Sequence, residues 1–419
     1  MEAKGINCMN EVLDELNKNL KFYNNLEFYN CKNTFNEITS INELSMVPTT
    51  EKEELRALDP FSLFNVSKED LFEYHESFGT TGVPLSAWFT KKDFYSYVAQ
   101  INESKIDFNP KDIVLIRFPY AISSAAHTFT RAVQEKGGCV VPASRGTPIS
   151  PDIRILNMIK KLNVTVIALN PYEAFALADA ASTVGIDVKV YFESLRALCL
   201  AGELLSQSRR RKLEQMWGIP IYNFYGTTEA GNLASSCKYG NLHCSSGRYF
   251  IYEVLDRKTK KEVASGEKGI LHITTLSKEA FPLLRYNVGD IVELSHEKCQ
   301  CGNENPILVH HGRVSEEVIV EGIKYTFKEI QEIIMDCLEP GVGNNYKLIL
   351  YKNKILIVLE VCKNMMEKIE DLKIEIPLKI PYEIKYVERG DLEDYSKRML
   401  VKEFGKHKYI EKGEGKDEK

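Results

Sequence analysis

Apolar and polar positions along this chain change their rhythm twice. Over residues 10–75 the spacing predicts polar helices, with an acidic–basic run at 51–56. From 112 to about 292, short apolar runs alternate with helical stretches. The runs 114–118, 139–142, 164–169, 197–201 and 219–224 read as buried strands, with helices over 151–162 and 206–217 between them. Strands alternating with helices predict a mostly parallel α/β sheet, whose ligands gather at the carboxyl ends of the strands. After 313 the elements shorten: two strands across 317–325, a helix over 327–337, a hairpin over 346–361 turning at 352–354, a helix over 365–372 and a strand over 382–387. The expected fold class is α/β, with a large N-terminal domain (1–313) and a small α+β domain (314–419). The charged, glycine-containing tail 412–419 is expected to be disordered.

Composition changes this picture little. With 419 residues the chain has room for more than one domain, and 44% apolar and 27% charged residues are ordinary for a globular protein. A net charge of -5 argues against nucleic acid and anionic membrane as partners. No apolar run reaches the roughly 18 residues of a membrane span. The first thirty residues lack the apolar core of a signal peptide, so a cytoplasmic protein is expected. The ten cysteines then read as core or metal ligands rather than disulfides. Cys139, Cys199, Cys337 and Cys362 sit in apolar surroundings and read as core; Cys237, Cys244, Cys299 and Cys301 do not.

Candidate chemistry concentrates at Asn223-Phe224-Tyr225-Gly226-Thr227-Thr228-Glu229, at the end of a strand. An amide can read a purine edge and a ring can stack on it. Gly226 allows close approach to the backbone, hydroxyls suit phosphate oxygens, and a carboxylate can hold Mg2+. Ser77-Phe78-Gly79-Thr80-Thr81-Gly82 is a Gly/Thr-rich loop suited to a polyphosphate, but no Gly-Lys-Ser/Thr follows, so it is not a Walker A loop. Gly202 and Glu203 end a strand and suit one wall of a base pocket. Asp290, in a turn after Arg285-Tyr286-Asn287-Val288-Gly289, suits two ribose hydroxyls. Arg313 follows Gly312 where the large domain gives way to the small one.

In this order the segments resemble the adenylate-forming superfamily of acyl-CoA synthetases, peptide-synthetase adenylation domains and luciferases, and more narrowly its phenylacetate-CoA ligase branch. The residues that carry the resemblance are Phe61-Ser62-Leu63-Phe64, 77–84, 223–229, 274–282 leading into Arg285-Tyr286, Cys299-Gln300-Cys301-Gly302, and Gly312-Arg313. The resemblance implies ATP-dependent conversion of a carboxylic acid to an acyl-adenylate, then transfer to the thiol of coenzyme A. A carrier-protein phosphopantetheine or an amine is the alternative acceptor, and an inactive nucleotide-binding protein the second alternative. Residue by residue, it implies that Thr80, Thr81 and Gly82 hold phosphates, Asn223 reads adenine and Tyr225 stacks on it. Thr228 contacts the α-phosphate, Glu229 ligates Mg2+, Asp290 holds the ribose, and Arg313 assists.

It also implies that the small domain is a mobile lid hinged near Ser315, carrying a lysine for the adenylation step. Lys397 fits that lysine best and Lys402 second. Ser315, Ser396 before Lys397, and Val83-Pro84-Leu85 where relatives carry a lysine all depart from the family pattern; Lys91 and Lys92 lie further on. Cys237, His243, Cys299 and Cys301 form a Cys3His set suited to structural Zn2+, with Cys244 an alternative to His243. The acid leans aromatic, with Tyr120, His127 and Phe129 as candidate lining residues. The basic run 209–212 reads either as a site for coenzyme A phosphates or as a solvated helix face. A homodimer stays open.

Overall fold

Parallel pairing holds where a helix connects the strands, because a crossover needs a dozen or more residues. In a computed structural model, which describes residues 9–77, 83–145, 147–338, 342–361, 366, 374–392 and 407–413, Ile113–Ile116 pairs in parallel with Cys139–Pro142 across the helix Ser124–Glu135. Val166–Leu169 pairs likewise with Ala197–Ala201 across Pro171–Thr183. From Ile221–Thr227 to Ile307–Arg313 the described ladders are antiparallel. The first of these strands pairs with Gly231–Ser236, which pairs with Leu242–Cys244; Phe250–Leu255, Gly269–Thr275 and Tyr286–Ser295 form a second run.

The residues divide into two compact units, Met1–Ser144 with Tyr222–His310 and Arg145–Ile221 with His311–Lys419. The helix Met9–Asn24 belongs to the first. Its Leu16, Leu20 and Tyr23 recur at helical spacing and pack with Leu271, Ile273, Leu283 and Tyr286 in one core. Asn19, on the same face, donates to the Thr275 carbonyl at 2.6 Å, so the buried amide is satisfied. In the second unit, Ile330 and Ile334 of the helix Phe327–Cys337 join a core with the sheet ordered Tyr382–Glu388, Ile355–Val361, Val342–Leu350, Ile410–Lys412. Thr326 caps that helix in a reciprocal box with Glu329.

Four sequence expectations change. Leu71–Glu76 is a strand paired with Ser86–Thr90, so the polar helical region stops short of 75. Cys139 is exposed rather than core, at the start of a strand whose ends face outward. Cys244 is core rather than a ligand: it packs in the main apolar cluster, and burial pushes its thiol up to about 12. The 209–212 run is not a uniformly solvated face. Arg209 is fully buried, its guanidinium 4.9 Å from the rings of both Phe175 and Tyr409, and Arg210 is buried beside Glu214. Arg211 alone of the three arginines is well exposed, paired with Asp336. Cys362 and residues 414–419 lie outside the described residues, as does all of the 365–372 helix but residue 366.

Candidate active site

The turn at 228–230 joins two strands whose backbones approach closely. A Cβ at Gly226 would lie 2.0 Å from the Gly231 carbonyl oxygen, so glycine is required there by strand packing before any ligand is considered. The turn leaves Thr228 half-exposed and buries Glu229 to 1% exposure. Three elements converge on Glu229. The segment after Pro48 runs alongside the start of Tyr286–Ser295, with Thr50 N donating to the Arg285 carbonyl at 3.1 Å and Asn287 N to the Thr50 carbonyl at 2.8 Å. That pairing brings Lys52 Nζ to 2.8 Å and the Tyr286 hydroxyl to 2.7 Å from Glu229 Oε1. Lys278 Nζ donates to the Glu229 backbone carbonyl.

Electrostatics follow from this packing. Burial opposes ionisation of Glu229, but the Lys52 ammonium and the hydrogen bonds from Lys52 and Tyr286 outweigh it and hold the carboxyl at about 2. Oε2 is buried and has no partner among the described residues. A carboxylate kept ionised, with one oxygen engaged and one open, fits a hard cation that completes its shell with phosphate oxygens. Lys278 lies 5.0–5.7 Å from the Phe89, Tyr97 and Phe281 rings, and burial lowers its ammonium to about 8 against the pull of Asp93 and Glu229. Asp93 fixes the 277–281 loop, accepting from Glu279 N at 2.7 Å and Ala280 N at 2.9 Å while capping its own helix through Thr90.

The base and ribose residues lie on Ile221–Thr227 and Tyr286–Ser295, two strands of the same sheet that are not adjacent in its order. Asn223 is buried and its Oδ1 lacks a partner among the described residues, leaving an acceptor for an exocyclic amine. The Tyr225 hydroxyl donates to Asp290 Oδ2 at 2.6 Å, and the Tyr225 ring packs 4.7 Å from that of His310. Asp290 follows a bulge: Ile270 pairs with Ile291 but His272 with Asn287, and Gly289 takes φ +85°. Of the residues expected to line the acid, Phe129 is buried between Phe118 and Phe224, with ring centroids at 5.2 and 4.9 Å. The Tyr120 hydroxyl is tied to Thr130 and His127 is half-buried.

In the second unit, Gly202 takes φ +92° and Glu203 Oε2 accepts from Tyr409 OH at 2.9 Å and Tyr172 N at 3.1 Å. Glu203 therefore braces the unit, while its buried Oε1 has no partner among the described residues. Arg313 N donates to Glu316 Oε2 at 3.1 Å, and Ser315 lies in the short 3-10 turn Val314–Glu316. Thr80, Thr81, Gly82, Lys397 and Lys402 lie outside the described residues. Lys92, offered as a replacement for the missing loop lysine, is already paired with Glu279 at 2.7 Å.

The Cys3His set assembles. Cys237, His243, Cys299 and Cys301 place their ligand atoms within 4.8 Å of one another. Cys237 Sγ and Cys299 Sγ are 3.8 Å apart, the separation that Zn–S bonds of about 2.3 Å give at a tetrahedral ion. His243 Nδ1 donates to the Asn305 carbonyl at 3.1 Å, which turns the Nε2 lone pair inward, 3.2 Å from Cys301 Sγ. The Asn241 amide and the Cys301 N–H hold the Cys299 thiol down at about 6. These donors fit structural Zn2+.

Sequence reasoning missed Lys52, Lys278, Asp93 and His310. Lys278 sits inside a quoted motif, and Lys52 inside the charged run 51–56; neither position carried a signal of which partner it meets.

A profile of AMP-binding enzymes matches residues 48–277, which include the Lys52 segment and the Glu229 turn. The chain belongs to the AMP-binding enzyme family. Phenylacetate-coenzyme A ligase of Thermus thermophilus is 27% identical over 323 residues, 75% of this chain and 70% of that protein. Phenylacetate-coenzyme A ligase of Aromatoleum evansii is 26% identical over 325 residues, 76% and 71%. Among solved structures, 2-hydroxyisobutyryl-CoA ligase in the postadenylation state with 2-HIB-AMP superposes with a TM-score of 0.80 at 17% identity, covering 91% of this chain and 86% of that one. An anthranilate CoA ligase with anthranoyl-AMP gives 0.58 at 17% identity, covering 76% and 63%. This family member thus shares the fold of adenylate-forming ligases. No helix among its described residues is long and apolar enough to cross a membrane.

Proposed function

We propose that this chain activates a carboxylic acid, leaning aromatic, by attack of its carboxylate on the α-phosphate of ATP, and passes the acyl group to the thiol of coenzyme A. The observation that carries the reading is Glu229: buried, ionised, and open at Oε2. Glu229 Oε2 would hold the Mg2+ that travels with ATP, which supplies charge neutralisation at the phosphates. Asn223 Oδ1 would accept from the adenine amine, Tyr225 would stack on the base, and Asp290 would take the ribose hydroxyls while fixed by the Tyr225 hydroxyl. Thr228 faces the α-phosphate. Together these residues lower the barrier chiefly by positioning and charge complementarity.

Further assignments extend this reading. Thr80, Thr81 and Gly82 hold the outer phosphates. Gly202 and Glu203 wall the base, Arg313 reaches the ribose, and Lys397 serves the first half-reaction from a lid that begins after 313. Cys237, His243, Cys299 and Cys301 hold Zn2+ as a structural brace. The protein works in the cytoplasm.

Acid-dependent ATP–pyrophosphate exchange across a panel of aryl and alkyl acids tests the reading. Exchange with at least one aryl acid, followed by thioester formation with free coenzyme A, is the expected result. Exchange without thioester formation moves the acceptor to a carrier protein or an amine. No exchange with any acid leaves a nucleotide-binding protein.

A further inference from the structure

Tyr120 and His127, expected to line the acid, carry a hydrogen-bonding pattern that the adenylation chemistry does not use. His127 Nε2 lies 2.8 Å from the Tyr120 carbonyl oxygen. A carbonyl only accepts, so Nε2 carries the proton. In the neutral ring Nδ1 is then a bare acceptor, and it has no partner among the described residues. The groups around it do not compete. The Tyr120 hydroxyl is engaged by Thr130 at 2.8 Å, although the Tyr120 ring packs 5.5 Å from the imidazole. On another side the His75 ring lies 5.5 Å away, and both His75 nitrogens are occupied, by the Ile122 carbonyl at 3.0 Å and by Glu73 Oε2 at 2.8 Å.

The backbone beside these residues is held in an unusual state. Ile122 has φ +62°, a left-handed conformation that a β-branched residue rarely adopts, and its side chain is 60% exposed. Two donors clamp its carbonyl, His75 Nδ1 and Glu76 N at 3.2 Å. Glu76 ends the strand that leads into the 77–82 loop. The strained turn is thus tied through His75 to the His127 imidazole, with the Ile122 side chain exposed nearby in the chain. A site with an apolar surface and one unpaired acceptor favours a ligand that is mostly apolar and brings one donor.

We propose that the acid activated by this chain bears a hydroxyl or amino group, and that His127 Nδ1 accepts its hydrogen, making His127 a specificity-determining residue. This rests on the acid-activation reading. The test is ATP–pyrophosphate exchange with matched sets of acids: unsubstituted, hydroxy, amino and methoxy forms of benzoic, phenylacetic and branched alkanoic acids, with every ring position sampled. The methoxy acid has the size of the ligand without the donor. At least one hydroxy or amino acid should exceed both its unsubstituted and methoxy counterparts by roughly tenfold or more in kcat/KM, mostly through KM. In His127→Phe that ratio should fall to near one.

Equal rates within every matched set, with exchange otherwise robust, overturn the donor preference while leaving acid activation intact. A preference that survives in His127→Phe overturns the assignment to His127. Should that variant not fold, the wild-type panel alone decides the donor preference, and His127→Gln reads the assignment. Absence of exchange with every acid overturns both this inference and the reading beneath it.

Discussion

The two cation sites proposed for this chain differ in how completely the protein closes them. At the Cys3His cluster four donors from the protein converge within 4.8 Å, leaving no position for a substrate. At Glu229 one carboxylate oxygen is taken up by Lys52 and Tyr286, and the other is buried with no partner among the described residues. A full shell suits an ion that holds loops together; a partial shell suits an ion that arrives with its phosphates and leaves with pyrophosphate. The lesson is that the count of protein donors, rather than the presence of charged residues, separates brace from reaction centre.

Glu229→Gln should break the contrast most sharply. It keeps the size of the side chain but removes the charge, and exchange should fall by about 100- to 1,000-fold. Zinc content, read by elemental analysis, should stay unchanged. Cys299→Ser should do the reverse: bound zinc falls toward zero and the melting temperature drops by several degrees or more, while exchange measured well below the melt stays within about tenfold of wild type.

Acid sharpens the same comparison. The Glu229 carboxyl is lowered from an ordinary 4.5 to about 2 in the folded chain, so its contribution is fully present above the unfolded pKa. It amounts to about 3 kcal/mol as an upper figure and is lost as pH falls from about 4.5 toward 2. Denaturant melts of wild type and Glu229→Gln should therefore differ most near neutrality and converge in acid; a gap that is flat with pH refutes the ion pair. The smallest effect is expected from Tyr225→Phe, which removes the hydroxyl that orients Asp290. KM for ATP should rise about three- to tenfold, with kcat for exchange little changed.

Glu229, Asn223 and Asp290 stand out in the sequence because each falls inside a short, ordered motif at a strand end. The parallel strands were legible because their apolar runs are continuous and spaced by helices. Lys52 was not, since its partner lies 177 residues away and its own neighbourhood reads as a plain charged helix. Burial of Arg209 was equally hidden: a run of three arginines reads as surface, and the enclosing Phe175 and Tyr409 rings come from distant segments. The Cys3His set was readable from ligand type and spacing, but the exclusion of Cys244 needed its packing in the core. Strand 71–76 was missed because its exposed face carries Phe72 and Tyr74 rather than polar residues, which blurs the alternation.

The backbone pairing of Thr50 with Arg285 and Asn287 has a practical consequence for anyone trimming the gene. A shortened version that starts at the first β-ladder of the fold would discard the stretch that delivers Lys52, and with it the counter-ion of the Glu229 carboxylate proposed to serve ATP chemistry. The stretch around Thr50 and Lys52 thus belongs with the proposed reaction centre, and a shortened version should keep it.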